Sequence, residues 1–161
     1  MGQEAKTILE ENRRLIANEL HVSPAEIIFT SCGTESNNLI IKSAVENLGV
    51  ERIITTEIEH KCVYEAVLEV KNRNGVEVVY LKLNEKGDVN LDELEALLKS
   101  SDKVTLVTLM HANNEIGNIL DLEKTAKICK ENNAYLHSDT VQTMAHVKLD
   151  FSQIPVDFAS C

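Results

Sequence analysis

The sequence contains no tryptophan, and aromatic residues make up only 4% of its 161 residues. Proteins that bind single-stranded nucleic acids rely on aromatic side chains that stack on the bases, so this class of function is disfavoured. Basic residues are also scarce, since 16 lysines and arginines stand against 26 aspartates and glutamates, for a formal net charge of −10. Such a charge repels phosphate backbones and anionic membrane surfaces. We therefore expect neither a nucleic acid nor a membrane among the partners.

The sequence also lacks an apolar run of the roughly 18–20 residues that a membrane-spanning helix needs. Residues 1–14 are charged and polar, unlike a secretory signal peptide. No Cys-x-x-Cys pair occurs among the four cysteines, Cys32, Cys62, Cys129 and Cys161. These absences predict a cytoplasmic protein whose cysteines remain free thiols.

Short β-branched runs alternate with longer helical patterns along the whole chain. Apolar residues spaced three and four apart predict helices at 4–20, 35–48, 61–74, 91–98 and 122–132. Strands are predicted at 26–30, 52–56, 76–81, 104–110, 134–138 and 156–160. This alternation predicts an α/β fold with a mainly parallel sheet flanked by helices. No helix follows the last predicted strand, although parallel strands are normally covered on both faces, so we expect 1–161 to be a single partial domain.

Ligands of open α/β sheets bind beyond the carboxyl ends of the strands, and the first such end is a polar loop. Residues 30–38 read Thr-Ser-Cys-Gly-Thr-Glu-Ser-Asn-Asn and lead directly into a predicted helix. Free amides at the helix start, with hydroxyls from Ser31, Thr34 and Ser36, suit a phosphate group. A helix cap by Thr34 after a turn at Gly33 accounts equally well for the pattern. The glycine motifs of common nucleotide sites are absent, which disfavours a dinucleotide-binding domain.

Three further strand ends carry polar side chains. His60 can stack on a ring or move a proton, or it can belong to a solvated capping cluster. Asn113 and Asn114 offer hydrogen-bond donors to a ligand, or they form a turn held by its own side-chain bonds. Asp139 and Gln142 can hold a positive group and a ring substituent of a ligand, or Asp139 can be the N-cap of a helix.

Metal and hydrolase chemistry fit these residues less well. The pairs His60 with Cys62 and His137 with Asp139 lack the closed four-ligand spacing of a zinc site, so we predict no metal. A Gly-x-Ser-x-Gly elbow, which an α/β-hydrolase requires, is absent. Cys62 lies near His60 in the sequence, but adjacency in sequence does not establish a nucleophile and its base.

Taken together, the polar strand ends resemble those of cysteine desulfurases, which are pyridoxal-phosphate enzymes of the class V aminotransferase group. The resemblance is carried by Phe-Thr-Ser-Cys-Gly-Thr-Glu-Ser-Asn-Asn at 29–38, Glu-His-Lys at 59–61, His-Ala-Asn-Asn-Glu-Ile-Gly at 111–117 and His-Ser-Asp-Thr-Val-Gln at 137–142. It covers essentially the whole chain. It implies the large-domain fold of a fold-type I pyridoxal-phosphate enzyme.

The resemblance implies pyridoxal 5'-phosphate as the cofactor. Gly33 and Thr34 would hold its phosphate, and His60 would stack on the pyridine ring and is the candidate for proton movements at the substrate. Asp139 would pair with the pyridinium nitrogen. On the hydroxyl side of the same ring, hydrogen bonds would come from two amide side chains, those of Asn114 and Gln142.

The resemblance also implies a reaction and partners. In the family, L-cysteine is converted to L-alanine, and sulfur remains as a persulfide on an enzyme cysteine for delivery to iron–sulfur cluster or thiocofactor assembly. L-cysteine would then be the substrate, a sulfur-acceptor or iron–sulfur scaffold protein the partner, and a homodimer the assembly. A selenocysteine lyase, another enzyme of the same group, and a non-catalytic binding module of the same fold are the alternatives.

The sequence departs from the family pattern in several places. The lysine that binds the cofactor covalently would lie a few residues beyond Cys161, and the family's N-terminal segment would precede Met1. We therefore expect a fragment truncated at both ends and inactive alone. None of the four cysteines matches the persulfide-forming cysteine. Cys32 and Gly33 stand where glycine and alanine are usual, and the backbone amides that would bind the phosphate survive this departure.

Overall fold

Helices and strands alternate along the computed structural model, which describes residues 2–161. The helices are α1 (Gly2–Leu20), α2 (Gly33–Asn47), α3 (Lys61–Asn74), α4 (Leu91–Lys99) and α5 (Leu122–Glu131), and a 3₁₀ turn lies at Pro24–Glu26. The strands are β1 (Arg52–Thr55), β2 (Glu77–Tyr80), β3 (Thr105–Thr108), β4 (Tyr135–Asp139) and β5 (Phe158–Ser160). Each helix coincides with a predicted one, and each strand lies within or next to a predicted strand.

The strands form a single sheet in the order β2-β1-β3-β4-β5, and every neighbouring pair is parallel. The chain moves from β1 outward to β2 and then crosses back, so that β3 lies on the other side of β1. At such a reversal, the connections that leave two neighbouring strands run in opposite directions. A crevice therefore opens between the carboxyl ends of these two strands. The predicted mainly parallel α/β fold is confirmed, and its switch point lies between β1 and β3.

Helices cover both faces of the sheet. On one face, Ile54 and Val107 pack with buried residues of α4 and α5. On the other face, Ile53 and Leu106 pack with buried residues of α2 and α3. Successive residues of a strand point to opposite faces, so the central strands need apolar side chains at consecutive positions. Burying each of these aliphatic side chains stabilises the fold by about 1.5–3 kcal/mol.

The strand predicted at 26–30 is wrong. A capping box between Ser23 and Glu26 winds the start of this stretch into a 3₁₀ turn. The remainder forms no ladder with any strand among the described residues, and Ile28 stays 70% exposed. The Arg13 guanidinium of α1 donates a hydrogen bond to the backbone of this stretch. The polar loop at 30–38 therefore follows a segment held by α1 rather than by the sheet.

Helix α1 lies on the surface of the sheet-and-helix core. Ala17 is its buried residue, and the Val22 amide after the helix donates to the Ala17 carbonyl at 2.9 Å. Large apolar side chains of α1, including Ile8 and Leu15, are exposed. Within residues 2–161, no helix combines the length and the apolar character that crossing a membrane requires.

Glu59 is a carboxylic acid buried just beyond the end of β1. Its Oε1 accepts a hydrogen bond from the Thr56 hydroxyl at 2.7 Å, whereas its Oε2 has no partner among the described residues. Burial raises the pKa of Glu59 to about 8, and the negative charge of Asp139 adds to this rise while the Thr56 bond opposes it. Glu59 is therefore largely protonated at neutral pH, and it adds little negative charge beside Asp139.

This buried acid predicts that the protein loses stability as the pH rises. The folded state keeps the Glu59 proton up to about pH 8, whereas the unfolded chain releases it near the ordinary value of 4.5. The stabilisation is therefore complete below about pH 4.5 and is lost as the pH rises through about 8. Between about pH 6 and pH 9, we expect the unfolding free energy of the native protein to fall by roughly 2–3 kcal/mol because of Glu59. Glu59→Gln cannot lose this proton, so its unfolding free energy should not show this fall.

Urea denaturation at the two pH values measures this difference. Glu57→Gln, an exposed glutamate two positions earlier, is the matched control and should behave like the native protein. If Glu59→Gln loses as much stability as the native protein does, Glu59 does not hold a proton in the folded state.

Candidate functional site

A pocket of about 190 Å³ lies at the carboxyl edge of the sheet, beside the switch point. Its walls come from the start of α2, the loops that follow β1 and β3, and the end of β4. The structure brings to this one pocket all of the site residues predicted from the sequence, namely Gly33, Thr34, His60, Asn114, Asp139 and Gln142. The roles assigned to them stay predictions, but their convergence is a property of the fold.

The start of α2 forms one wall of the pocket. Cys32 is the N-cap residue in place of Thr34, and its side chain makes no capping hydrogen bond, whereas α3, α4 and α5 are each capped by a side chain. The first amides of α2 are therefore left for another acceptor. The Glu35 backbone N–H, assisted by the Ser31 hydroxyl, lowers the pKa of the exposed Cys32 thiol. This helix start thus favours a negative charge.

The loop before α2 is held by its own polar contacts. The Glu35 carboxylate accepts a hydrogen bond from the Ser31 backbone N–H at 2.6 Å, which lowers the pKa of Glu35. Gly33 lies close to the loop after β4, because a Cβ atom at Gly33 would be only 3.1 Å from a Val141 methyl carbon. The absence of a side chain at Gly33 therefore lets the start of α2 approach the end of β4.

His60 both caps α3 and lines the pocket. Its Nδ1 accepts a hydrogen bond from the Cys62 backbone N–H at 3.3 Å and lies 2.9 Å from the Cys62 Sγ. Because Nδ1 serves as an acceptor, the neutral ring carries its proton on Nε2. The capping cluster and the pocket residue, which the sequence presented as alternatives for His60, are therefore compatible.

The two asparagines after β3 have different environments. Asn113 is buried; its Nδ2 donates to the Ile58 carbonyl at 2.8 Å, and its Oδ1 accepts from the Glu115 and Ile116 backbone amides. The turn held by its own side-chain bonds is thus correct for Asn113. Asn114 is exposed and lines the pocket. The structure therefore separates a turn-forming amide from one that is available to a ligand.

Asp139 is the last residue of β4, and its side chain is almost fully buried at the floor of the pocket. Its Oδ1 accepts a hydrogen bond from the Val141 backbone N–H at 3.1 Å, and its Oδ2 accepts from the Asn37 amide at 2.8 Å. The chain continues as turns through 141–146, so the alternative in which Asp139 is the N-cap of a helix is wrong. Gln142 is exposed at the pocket mouth.

The sequence predictions did not assign a role to several residues that line the pocket. They include Asn37, Cys62 and Met110. Asn37 lies four residues after Gly33, so helical spacing places both on the same face of α2. That spacing was the signal that could have identified Asn37. All four cysteines are free thiols, and residues 2–161 contain no cluster of three or more metal-ligating side chains.

Curated relatives of the chain are cysteine desulfurases. It is 39% identical over 161 residues to cysteine desulfurase IscS of Dictyoglomus turgidum, across 99% of this chain and 40% of that protein. It is 39% identical over 163 residues to the mitosomal cysteine desulfurase of Trachipleistophora hominis, across 99% of this chain and 36% of that protein. The chain thus spans well under half the length of the curated relatives it matches.

Solved structures superpose closely on the chain. A NifS-like protein matches with a TM-score of 0.91 and 40% identity, covering 99% of this chain and 44% of that one. A structure described as SspA in complex with cysteine matches with a TM-score of 0.89 and 29% identity, covering 99% and 46%. These likenesses confirm the predicted fold-type I architecture. The family model of class-V aminotransferases matches residues 1–161, and the chain therefore belongs to the class-V aminotransferase family.

Proposed function

We propose that this chain supplies the pyridoxal 5'-phosphate pocket of a cysteine desulfurase, which converts L-cysteine to L-alanine and passes on the sulfur as a persulfide. The observation that carries the proposal is the pairing, in one pocket, of an uncapped helix start with a buried carboxylate. The similarity to named cysteine desulfurases, and to a structure described as a complex with cysteine, supports the reaction and the substrate.

The donor and acceptor chemistry of the pocket fits this cofactor. A phosphate needs several N–H donors in a positive potential, and the first turn of α2 at Gly33 and Thr34 offers them. A protonated ring nitrogen needs an anionic acceptor, and Asp139 is a carboxylate that already receives one donor on each oxygen. The pocket thus favours negative charge at one side and positive charge at the other, as the two ends of the cofactor require.

When bound, pyridoxal 5'-phosphate supplies a ring that can accept the electron pair of a substrate carbanion. Asp139 would keep the ring nitrogen protonated by accepting its hydrogen bond. The amides of Asn114 and Gln142 line the pocket and would donate hydrogen bonds to the ring hydroxyl. His60 would pack against the ring face, and its Nε2, which carries the proton in the neutral ring, would exchange a proton with the substrate.

The location and partners are part of the same proposal. The free state of all four cysteines supports a reducing, cytoplasmic environment. We include a homodimer in the proposal because the pocket residue Val141 is 46% exposed and a partner subunit would cover it. The similarity to IscS proteins supports a sulfur-acceptor or iron–sulfur scaffold protein as the partner.

The first prediction of this proposal concerns cofactor binding. An absorbance titration of the purified protein with pyridoxal 5'-phosphate should saturate, and Asp139→Asn should weaken binding about tenfold or more, because the substitution removes the charge of a charge-assisted hydrogen bond. Asp102→Asn is the matched control, since Asp102 is exposed ahead of β3, at the opposite edge of the sheet, and should leave the affinity unchanged. Equal weakening by both substitutions argues against a ring contact at Asp139.

The second prediction concerns the reaction. The product of the complete gene, loaded with cofactor, should form alanine from L-cysteine, and His60→Ala should lower this rate by about 100-fold or more if His60 moves a proton at the substrate. Alanine assays of the two proteins at equal cofactor occupancy measure the effect. An unchanged rate removes His60 from the catalytic residues, and turnover of L-selenocysteine alone replaces the desulfurase proposal with a selenocysteine lyase.

A further inference from the structure

Asp139 receives one of its hydrogen bonds from Asn37, a fully buried residue in the second turn of α2. The Asn37 Nδ2 donates to the Asp139 Oδ2 at 2.8 Å. A carboxylate can only accept, so Asn37 must turn its NH₂ group toward Asp139. Its carbonyl Oδ1 then points the other way and needs a donor of its own.

The donor to Asn37 is Ser160, which lies opposite Asp139 in the register of β4 and β5. Because the Ser160 hydroxyl donates its proton to the hydrogen bond with Asn37, the Ser160 oxygen accepts a hydrogen bond from the His137 Nε2 at 3.1 Å. Burial lowers the pKa of His137 to about 3, so the ring is neutral and carries a single proton, on Nε2. Its Nδ1 therefore accepts from the Thr108 hydroxyl at 2.8 Å.

These contacts make a one-way series of hydrogen bonds that runs from β3 to the pocket. We name it the donor chain, and its members are Thr108, His137, Ser160 and Asn37. All four side chains are buried. In a buried environment of low polarity, each hydrogen bond polarises the next, so the final donor to Asp139 is strengthened by those behind it.

We propose that the donor chain positions Asp139 as the acceptor for the ring nitrogen of the cofactor, a role that rests on the proposed function. Asn37 is the member that lines the pocket; His137 and Ser160 act through it. Reversing any one bond would turn the Asn37 carbonyl toward the carboxylate and push Asp139 out of place. The members of the donor chain are therefore positioning residues, distinct from the residues that touch the cofactor.

The surroundings of Asp139 fit this role. Glu59 and Cys161 both face Asp139, and in each case burial and the charge of Asp139 raise the pKa of the neighbouring group, so neither adds a negative charge at neutral pH. The second N–H of the Asn37 amide is directed to the Cys62 Sγ at 3.1 Å. The Asn37 amide that donates to Asp139 is thus held on its carbonyl side by the uncharged Ser160 hydroxyl.

The test compares two ligands on the product of the complete gene. Pyridoxal 5'-phosphate and its 1-deaza analogue, in which a C–H replaces the ring nitrogen, differ only in the group that Asp139 accepts from. Ser160→Ala should weaken binding of pyridoxal 5'-phosphate about five- to tenfold and leave the affinity for the analogue nearly unchanged. Ser160→Thr keeps the hydroxyl and should retain the native preference between the two ligands.

Ser138→Ala is the matched control, since Ser138 is equally buried on β4 but donates to the Leu109 carbonyl, outside the donor chain. It should keep the native preference. Thr108→Val, at the far end of the donor chain, should also lower the preference for pyridoxal 5'-phosphate over the analogue, but by a smaller factor than Ser160→Ala does. This variant provides the test if Ser160→Ala does not fold. The chemical shift of a ¹⁵N-labelled ring nitrogen reports the same contact independently of affinity and activity.

The outcomes separate this inference from the proposed function. The donor chain is overturned if Ser160→Ala weakens the binding of both ligands equally. It is also overturned if both Ser160→Ala and Thr108→Val keep the native preference for pyridoxal 5'-phosphate over the analogue. In either case the pocket proposal stands. A native protein that binds the two ligands equally well overturns the ring contact of Asp139 itself. Selective loss of the pyridoxal 5'-phosphate preference in Ser160→Ala, with Ser138→Ala unchanged, is the result that we expect.

Discussion

The parallel register of β1, β3 and β4 is the constraint on which the site depends. Ile53 pairs with Leu106, and Leu106 with Tyr135, so the three strands end at one edge of the sheet. This register is fixed by burial on both faces, because a slip of one residue would exchange Ile53 and Ile54 between the two cores. Apolar packing thus decides where the polar side chains beyond these strands meet.

Within that frame, the site is organised by charge. The start of α2 has no side-chain cap, so its free amides favour negative charge, and the buried Asp139 carboxylate supplies a negative charge on the pocket floor. The neighbouring acid Glu59 is held protonated by burial, which avoids a second charge next to the first. A ligand that is anionic at one end and cationic at the other satisfies both walls. The polarity of the pocket therefore suits a ligand of this kind.

The sequence was sufficient for the elements whose pattern reflects burial. Helical and strand spacing located α2 to α5 and β1 to β5 because these elements place apolar residues against a core. The same spacing located α1, although large apolar side chains of this helix stay exposed. The failure at 26–30 has the same cause, since a β-branched run shows a tendency to extend but not whether a neighbouring strand exists to pair with it. Ile28 has that tendency and remains exposed.

The site divides in a similar way. Gly33, His60 and Asp139 stand in contiguous motifs at strand or helix ends, so the sequence pointed to them. The donor chain could not be predicted from the sequence, because Asn37 and Ser160 are 123 positions apart and come into contact only in the folded protein. No local pattern distinguishes a buried serine that orients an amide from one that merely fills space.

The converging strand ends are proposed to form one cofactor pocket. The most direct test of this proposal is the change in backbone amide chemical shifts when pyridoxal 5'-phosphate is added to ¹⁵N-labelled protein. We expect the affected amides to cluster at the start of α2, after β1 and β3, and at the end of β4, whereas the amide shifts of β2 and α4 should stay unchanged. Shifts centred away from this edge, or scattered weakly over the surface, would contradict it.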